Sequence, residues 1–264
     1  MKADVNGIDL GYSTQGSGTP VVLVHGYPLT KDMWEHQVSE LSRDFQVIAV
    51  DLRGHGESQV VEGPGSMETF ADDIDALLEH LHIASAVIVG FSMGGYATFA
   101  FLRKYAAKVK ALALVDTRAQ SDTPEAAEGR RNTAKSVIES SSTAAVVDAL
   151  IPRLLTQASV DGNKALVDRT RAILSSVAPQ AVYADLHALA DRPDSRDLLP
   201  KITCPTLVVV GDSDALTPPA DAELMAQSIA GAKLVTVPRA AHLSPMEQPE
   251  AVTAALRSFL SGLK

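Results

Sequence analysis

A serine stands at the centre of a Gly-x-Ser-x-Gly pattern at positions 90–94, directly after an apolar run and before an amphipathic stretch. The apolar run predicts a strand and the stretch 96–102 predicts a helix, so Ser92 would lie on a sharp strand-to-helix turn. Such a turn exposes the serine oxygen to a substrate, and the flanking glycines remove side-chain carbons that would clash there. The helix start also presents free N–H groups to a developing oxyanion. The pattern therefore predicts that Ser92 is a nucleophile.

A serine hydroxyl needs a base to take its proton, and a histidine is the usual base. Of the seven histidines, His242 follows the apolar run 234–237 and so lies at the carboxyl end of a predicted strand. Open α/β sheets place their sites at such strand ends. His80 and His82 end an amphipathic helix, where surface or capping roles are expected. No pair of histidines has the spacing of metal ligands, so His242 is the predicted base and no metal site is expected.

The base in turn needs an acid that holds its tautomer and stabilises the imidazolium. Asp212 and Asp214 follow the apolar run 207–210, and Asp116 follows the run 111–115. All three carboxylates would stand at the carboxyl ends of predicted strands. The residues alone therefore leave three candidates for the acid.

The elements that must position these residues are visible as six short runs of β-branched and aliphatic residues. They cover positions 21–24, 47–50, 87–89, 111–115, 207–210 and 234–237. Most are continuously apolar rather than alternating, which is typical of strands buried on both faces of a parallel sheet. Amphipathic helical patterns occur at 70–81 and 252–260, with a shorter one at 34–41. Asn6-Gly7 predicts a hairpin, so the sheet is expected to begin antiparallel.

The alternation of strands and helices stops between about 119 and 196, a region without a β-branched run. It opens with Ser121-Asp122-Thr123-Pro124-Glu125, a helix-start signal, and holds three or four helical patterns. The sequence therefore predicts an α/β core made of residues 1–118 and 197–264, with an all-helical insertion at 119–196.

Composition narrows the classes of function. The chain of 264 residues is 46% hydrophobic, enough for a full core, and its net charge of −9 disfavours a nucleic-acid partner. Its one cysteine, Cys204, excludes an intrachain disulfide and fits a reducing compartment. No signal peptide and no membrane-spanning run are visible, so we expect a cytoplasmic protein without a membrane partner. The sequence leaves open whether the chain forms a homo-oligomer.

Five motifs occur in order from end to end of the chain. They are His25-Gly26-Tyr27-Pro28, Asp51-Leu52-Arg53-Gly54-His55-Gly56-Glu57-Ser58, Gly90-Phe91-Ser92-Met93-Gly94-Gly95, Gly211-Asp212-Ser213-Asp214-Ala215-Leu216-Thr217-Pro218 and His242-Leu243-Ser244-Pro245-Met246-Glu247-Gln248-Pro249. In this order they resemble the α/β-hydrolase superfamily, and the closest pattern is that of the cofactor-free haloperoxidase, arylesterase and enol-lactonase group. The resemblance implies a mostly parallel central sheet with helices on both faces and a helical cap in place of the insertion.

The resemblance also implies roles for particular residues. In this superfamily the acid is usually the aspartate three residues past the glycine, which points to Asp214, with Asp212 shaping the turn. The backbone N–H groups of Tyr27 and Met93 would form the oxyanion hole, which needs two donors about 3 Å from the developing charge. No cofactor is implied. Two further residues would stabilise loops near the site: His25 and Glu247.

The function expected from these residues is hydrolysis of a small carboxylic ester or lactone through an acyl-enzyme on Ser92. Tyr27-Pro28 in the oxyanion loop resembles the haloperoxidases, so perhydrolysis with hydrogen peroxide is expected as a side activity. A haloalkane dehalogenase or an epoxide hydrolase needs an aspartate in place of Ser92, which disfavours both. Two alternatives stay open: a C–C bond hydrolase of the meta-cleavage type, and a small-molecule receptor with little turnover.

Overall fold

The computed structural model describes residues 1–263, which form one central sheet flanked by helices. The strands are β1 (Lys2–Val5), β2 (Ile8–Gln15), β3 (Pro20–Val24), β4 (Gln46–Val50), β5 (Ala86–Phe91), β6 (Val109–Val115), β7 (Thr206–Gly211) and β8 (Lys233–Val237). They lie side by side in the order β1-β2-β4-β3-β5-β6-β7-β8. β1 and β2 pair antiparallel with their neighbours, whereas β3 to β8 run parallel. The predicted mostly parallel α/β sheet is confirmed.

The antiparallel start of the sheet is a two-residue hairpin, as Asn6-Gly7 predicts. Val5 pairs with Ile8, and the two residues between them have positive φ, 47° for Asn6 and 76° for Gly7. Positive φ at both central residues is what a type I′ turn requires, and the twist of that turn matches the flanking strands. β2 also pairs with β4, so the hairpin extends the parallel sheet at one end.

Helices cover both faces of the sheet. They are α1 (Glu35–Leu41), α2 (Met67–His80), α3 (Met93–Tyr105), α4 (Pro124–Ser140), α5 (Ala144–Leu154), α6 (Gln157–Gly162), α7 (Lys164–Ser175), α8 (Pro179–Asp191), α9 (Pro219–Ser228), α10 (Ser244–Glu247) and α11 (Pro249–Ser261). Alternate residues of β3 point to opposite faces of the sheet. Val22 and Val24 pack with α2, α3 and α9 on one face. Val21 and Leu23 pack with α1 and α11 on the other. Across residues 1–263, no helix is both long and apolar enough to cross a membrane.

The first helical pattern of the core differs from its prediction. The pattern at 34–41 suggested one helix, but the structure forms a 3-10 turn at Lys31–Trp34 and begins α1 only at Glu35. The Thr30 side chain accepts a hydrogen bond from the N–H of Asp32 and so caps the 3-10 turn. Both pieces still turn apolar side chains inward, so the core contact is kept although the helix type changes.

The helical insertion contains five helices, α4 to α8, between β6 and β7. This is more than the three or four helical patterns in the sequence. Thr123 caps α4 with its side chain and Pro124 opens it, as the helix-start signal predicts. The short helix α6 has no fully buried side chain and therefore gives no apolar stripe in the sequence. The side chains of Thr156 and Asn163 cap α6 and α7, and these caps set the boundaries of the short helix.

Candidate active site

Ser92 stands on a sharp turn between β5 and α3, where its backbone adopts φ 50° and ψ −114°. Positive φ is rare for a residue with a side chain, and functional sites retain such strain. A Cβ on Gly90 would lie 2.5 Å from the carbonyl oxygen of Gly94, and one on Gly94 would lie 2.4 Å from that of Val24. Both positions therefore require glycine, as the pattern predicts.

Three of the predicted site residues, far apart in the chain, form one series of hydrogen bonds. The Oγ of Ser92 lies 2.8 Å from Nε2 of His242, and Nδ1 of the same ring lies 2.8 Å from Oδ2 of Asp214. His242 and Asp214 are each 3% exposed. Since a carboxylate only accepts, Nδ1 carries the proton and donates to Asp214, which leaves Nε2 free to accept from the serine. This arrangement can remove the proton of Ser92 during an attack on a carbonyl.

Asp214 is held in place by its own loop. Its Oδ1 accepts from the N–H groups of Leu216 and Thr217 over 2.8 and 3.0 Å, and its Oδ2 accepts from the Thr217 hydroxyl over 2.7 Å. Burial by itself would raise the pKa of Asp214, but the hydrogen bond and charge of His242 keep that pKa below its ordinary value. Asp214 therefore stays ionised and can stabilise a positive charge on His242.

Asp116, another candidate acid, has a different set of partners. It is fully buried, its Oδ1 accepts from the Gly211 N–H over 2.8 Å, and its Oδ2 accepts from the Ser244 hydroxyl. Burial and the nearby charge of Asp214 raise the pKa of Asp116 well above its ordinary value. Asp116 thus ties the ends of β6 and β7 to α10, and its hydrogen bonds do not reach the histidine.

Two further acids fix the loops around the histidine. Asp212 is exposed and accepts from the N–H of Arg239 over 3.0 Å, so it shapes the turn after β7. Glu247 accepts from the N–H of Ala241 over 2.7 Å and from the N–H of Thr156 over 2.8 Å, and so links the histidine loop to the insertion. Between residues 1 and 263, no group of three or more His, Cys, Asp or Glu side chains is arranged to hold a metal ion.

The loop after β3 lies directly against Ser92. A Cβ on Gly26 would lie 2.9 Å from the Cβ of Ser92, so only glycine allows this close approach. His25 braces the loop, because its Nδ1 donates to the Gly26 carbonyl over 2.9 Å and its Nε2 accepts from the Leu52 N–H over 2.9 Å. Burial and the neighbouring His55 lower the pKa of His25 to about 3, so the ring stays neutral and keeps these two bonds.

Tyr27 and Met93 flank Ser92, the first in this loop and the second as the first residue of α3. Within the described part of the chain, residues 1–263, neither backbone N–H donates to another protein group. A free N–H is expected at the first position of a helix, because the first turn lacks intrahelical acceptors. Both donors are therefore available to a negative charge that develops beside Ser92.

A buried pair joins the core and the insertion, and it was not predicted from the sequence. Nε2 of His55 lies 2.9 Å from Oδ2 of Asp185 in α8, and its Nδ1 lies 3.0 Å from the Arg53 carbonyl. Burial would lower the pKa of His55, but the charge and hydrogen bond of Asp185 raise it above its ordinary value. Both ring nitrogens of His55 thus lie within hydrogen-bond distance of an oxygen atom. Its partner lies 130 positions away, and no spacing in the sequence could have revealed the pair.

The geometry agrees with a comparison of the whole chain with known families. A family model described as the alpha/beta hydrolase fold matches residues 19–249, which is most of the chain. The chain belongs to the alpha/beta hydrolase family. The resemblance that the five motifs indicate is therefore confirmed.

Particular members of this family agree with the expected group. A thermophilic esterase of Thermogutta terrifontis, solved with malate bound, is 43% identical with a TM-score of 0.96, over 100% of this chain and 98% of that one. The enol-lactonase of Burkholderia xenovorans LB400 is 30% identical with a TM-score of 0.92, over 99% of this chain and 100% of that one. A putative non-heme chloroperoxidase of Synechocystis is 29% identical over 96% of this chain and 95% of that relative. These names support the predicted carboxylic ester hydrolase.

Proposed function

We propose that this α/β-hydrolase cleaves small carboxylic esters or lactones through an acyl-enzyme on Ser92. The observation that carries the proposal is the unbroken series of hydrogen bonds from Ser92 through His242 to Asp214, with 2.8 Å at each link. The backbone N–H groups of Tyr27, in the loop against Ser92, and of Met93, next to Ser92 in the chain, have no acceptor among residues 1–263. A nucleophile, a base, an orienting acid and two oxyanion donors are the parts that acyl transfer needs.

In the first half of the reaction, Nε2 of His242 accepts the hydroxyl proton while Oγ of Ser92 attacks the carbonyl carbon. The N–H groups of Tyr27 and Met93 hold the substrate oxygen as it gains negative charge in the tetrahedral intermediate. The imidazolium, stabilised by Asp214, then protonates the leaving alkoxide, and the acyl group stays on the serine. In the second half, His242 activates a water molecule that releases the acid and restores the hydroxyl.

We propose in addition that the insertion, residues 119–196, acts as a cap that selects the substrate. The side chain of Tyr27 in the oxyanion loop packs against a buried cluster of α4 and α8. The Leu243 N–H, next to His242 in the chain, donates to the Leu154 carbonyl at the end of α5 over 2.8 Å. The insertion thus contacts the loops on both sides of the nucleophile, which is where a substrate would enter.

Sustained turnover of p-nitrophenyl butyrate by the purified protein tests the proposed function. An enzyme is expected to release many equivalents of p-nitrophenol per chain without added metal or cofactor. A single stoichiometric burst would contradict the proposal and support a receptor that is acylated once. Hydrolysis of meta-cleavage products without ester or lactone turnover would instead support a C–C bond hydrolase.

We propose perhydrolysis as a side activity of the same acyl-enzyme, in which hydrogen peroxide replaces water and a peracid leaves. The supporting observation is the oxyanion loop, where the Leu29 N–H donates to the Gly26 carbonyl over 2.8 Å with Tyr27 and Pro28 between them. Pro28 is buried, its φ is fixed by its ring, and it has no N–H. A loop of fixed shape keeps the Tyr27 carbonyl where it can accept a hydrogen bond from peroxide.

Replacing Pro28 with leucine is expected to lower peracid formation more than ester hydrolysis, because the loop loses its fixed shape while the serine chemistry is retained. Peracid formed from acetate and hydrogen peroxide is measured as bromination of monochlorodimedone, and hydrolysis as release of p-nitrophenol from its acetate. Pro64→Leu, in an exposed loop, is the control and should change neither rate. A proportional fall of both rates in Pro28→Leu, or no peracid from the wild type, would show that the loop does not assist peroxide.

A further inference from the structure

Three arginines surround one buried aspartate where the insertion begins and ends. Asp122, whose side chain is 1% exposed, accepts from Arg118 over 3.0 Å, from Arg192 over 2.8 Å and from Nε of Arg130. Burial would raise the pKa of Asp122, but the hydrogen bonds of Arg192 and Arg130 lower it to about 2. Asp221 is the other carboxylate that acts on Arg118. The single carboxylate of Asp122 accepts hydrogen bonds from all three guanidinium groups, in a chain whose net charge is −9.

Arg192 has a structural role in this cluster. Its Nη1 donates to the Leu189 carbonyl over 2.7 Å, and its Nη2 donates to the Gln120 carbonyl over 3.2 Å and to Asp122. Its guanidinium carbon lies 4.3 Å from the ring centroid of Tyr96, and only 2% of its side chain is exposed. Arg192 is therefore enclosed by protein and does not face a ligand.

The side chain of Arg130 is not enclosed by protein as that of Arg192 is. Its Nε donates to Asp122, but no residue between 1 and 263 accepts a hydrogen bond from either of its Nη atoms. Its side chain is 28% exposed, against 2% for that of Arg192. The Nη pair is one edge of the planar guanidinium fork, and such an edge binds a carboxylate through two parallel, charge-assisted hydrogen bonds.

α4 directs Arg130 toward the oxyanion loop. Ala134 and Val137 lie on the same face of the helix as Arg130 and pack in the buried cluster that also contacts Tyr27. Burial and the charge of Asp185 raise the pKa of the Tyr27 hydroxyl above its ordinary value, and the charge of Arg130 opposes that rise. The face of α4 that carries Arg130 therefore packs against the same buried cluster as the Tyr27 side chain.

The Tyr27 hydroxyl is an unused donor in the same place. It is buried, and none of residues 1–263 forms a hydrogen bond with it. A buried polar group without a partner is costly, so a ligand that accepts from this hydroxyl would gain binding free energy. Because its pKa is raised, the hydroxyl stays protonated and can donate to an anion. Asp185, the acid that acts on it, is itself paired with His55 over 2.9 Å.

We propose that the Nη pair of Arg130 and the Tyr27 hydroxyl bind a carboxylate group of the substrate, so that the preferred substrates are esters or lactones that carry a free acid. This inference rests on the proposed function, because Ser92 must attack the ester group of the same molecule. Tyr27 then has two roles. Its backbone N–H donates to the oxyanion, and its hydroxyl donates to the carboxylate group of the substrate. A neutral ester leaves Arg130 and Tyr27 unpaired and loses that binding.

The test compares kcat/KM, measured by pH-stat titration, for acid esters and their neutral matches. Monomethyl succinate, glutarate and adipate are set against methyl butanoate, pentanoate and hexanoate. At least one acid ester is expected to exceed its match by about tenfold or more, as a charge-assisted hydrogen bond allows. Arg130→Gln is expected to abolish this preference. Arg131→Gln is the matched control and should keep it, because Arg131 is 41% exposed and pairs with Asp191.

Binding of glutarate to the Ser92→Ala protein, measured by calorimetry, gives a second reading that does not need catalysis. Adding Arg130→Gln should weaken that binding by about tenfold or more. Equal kcat/KM for acid and neutral esters, or a preference that persists in Arg130→Gln, would overturn the subsite and leave the proposed function intact. If no ester is turned over, the proposed function fails. In that case glutarate binding that depends on Arg130 supports the subsite, and its absence overturns it.

Discussion

Replacing Ser92 with alanine is expected to lower kcat for p-nitrophenyl butyrate by about 10⁶-fold, the loss typical of a serine that acts together with its base. The reason is that the hydroxyl 2.8 Å from Nε2 of His242 is the proposed acyl acceptor, and alanine removes it. The fold should persist, because the Ser92 side chain makes no other hydrogen bond in residues 1–263. Stopped-flow and steady-state release of p-nitrophenol measure the effect.

The matched control is Ser213→Ala, an exposed serine whose hydroxyl donates to Asp212 over 2.8 Å. That variant should keep its activity and its labelling by a fluorophosphonate, whereas Ser92→Ala should lose both. Undiminished turnover in Ser92→Ala, with a native thermal melt, would show that another group is the nucleophile.

Asp214→Asn is expected to cost about 10⁴-fold in kcat, because an amide cannot hold the productive tautomer of His242 or stabilise its imidazolium. In the wild type the carboxylate accepts the Nδ1 proton over 2.8 Å. The pKa of Asp214 lies below its ordinary value, so the wild-type acid stays ionised at every pH where the enzyme is assayed near neutrality. The kinetics of p-nitrophenyl butyrate hydrolysis from pH 5 to pH 9 measure the loss.

Two aspartates are controls for that variant. Asp116→Asn should cost far less, because the hydrogen bonds of Asp116 end on Gly211 and Ser244 and do not reach His242. Asp212→Asn should also cost little, since its partner is the N–H of Arg239. A larger loss in Asp116→Asn than in the Asp214 variant would move the acid to the end of β6.

The sheet could be predicted from the sequence because its central strands are buried on both faces and therefore read as unbroken apolar runs. The convergence of Ser92, Asp214 and His242 follows from the same property. Each was predicted at the carboxyl end of a strand, and parallel strands bring their carboxyl ends to one edge of the sheet. The geometry in the structure is that expected arrangement. Their roles in catalysis remain a prediction that the variants above test.

Other features leave no periodic trace in a sequence. The helix α6 has no fully buried side chain, and the caps of Thr156 and Asn163 rather than an apolar stripe mark its boundaries. The pairing of His55 with Asp185 depends on how the insertion packs against the core. The same holds for the arginines around Asp122, which come from separate segments of the chain. Such contacts arise from tertiary packing between distant positions.

Transfer of the acyl group of an ester to Ser92 can be observed directly. The most direct measurement mixes the protein with excess p-nitrophenyl butyrate, stops the reaction with acid within the first turnover and maps the peptides by mass spectrometry. We expect one butyryl group per chain, on the peptide that contains Ser92, and none in Ser92→Ala. A butyryl group on another residue, or continued turnover with no acylated peptide at any time point, would contradict that expectation.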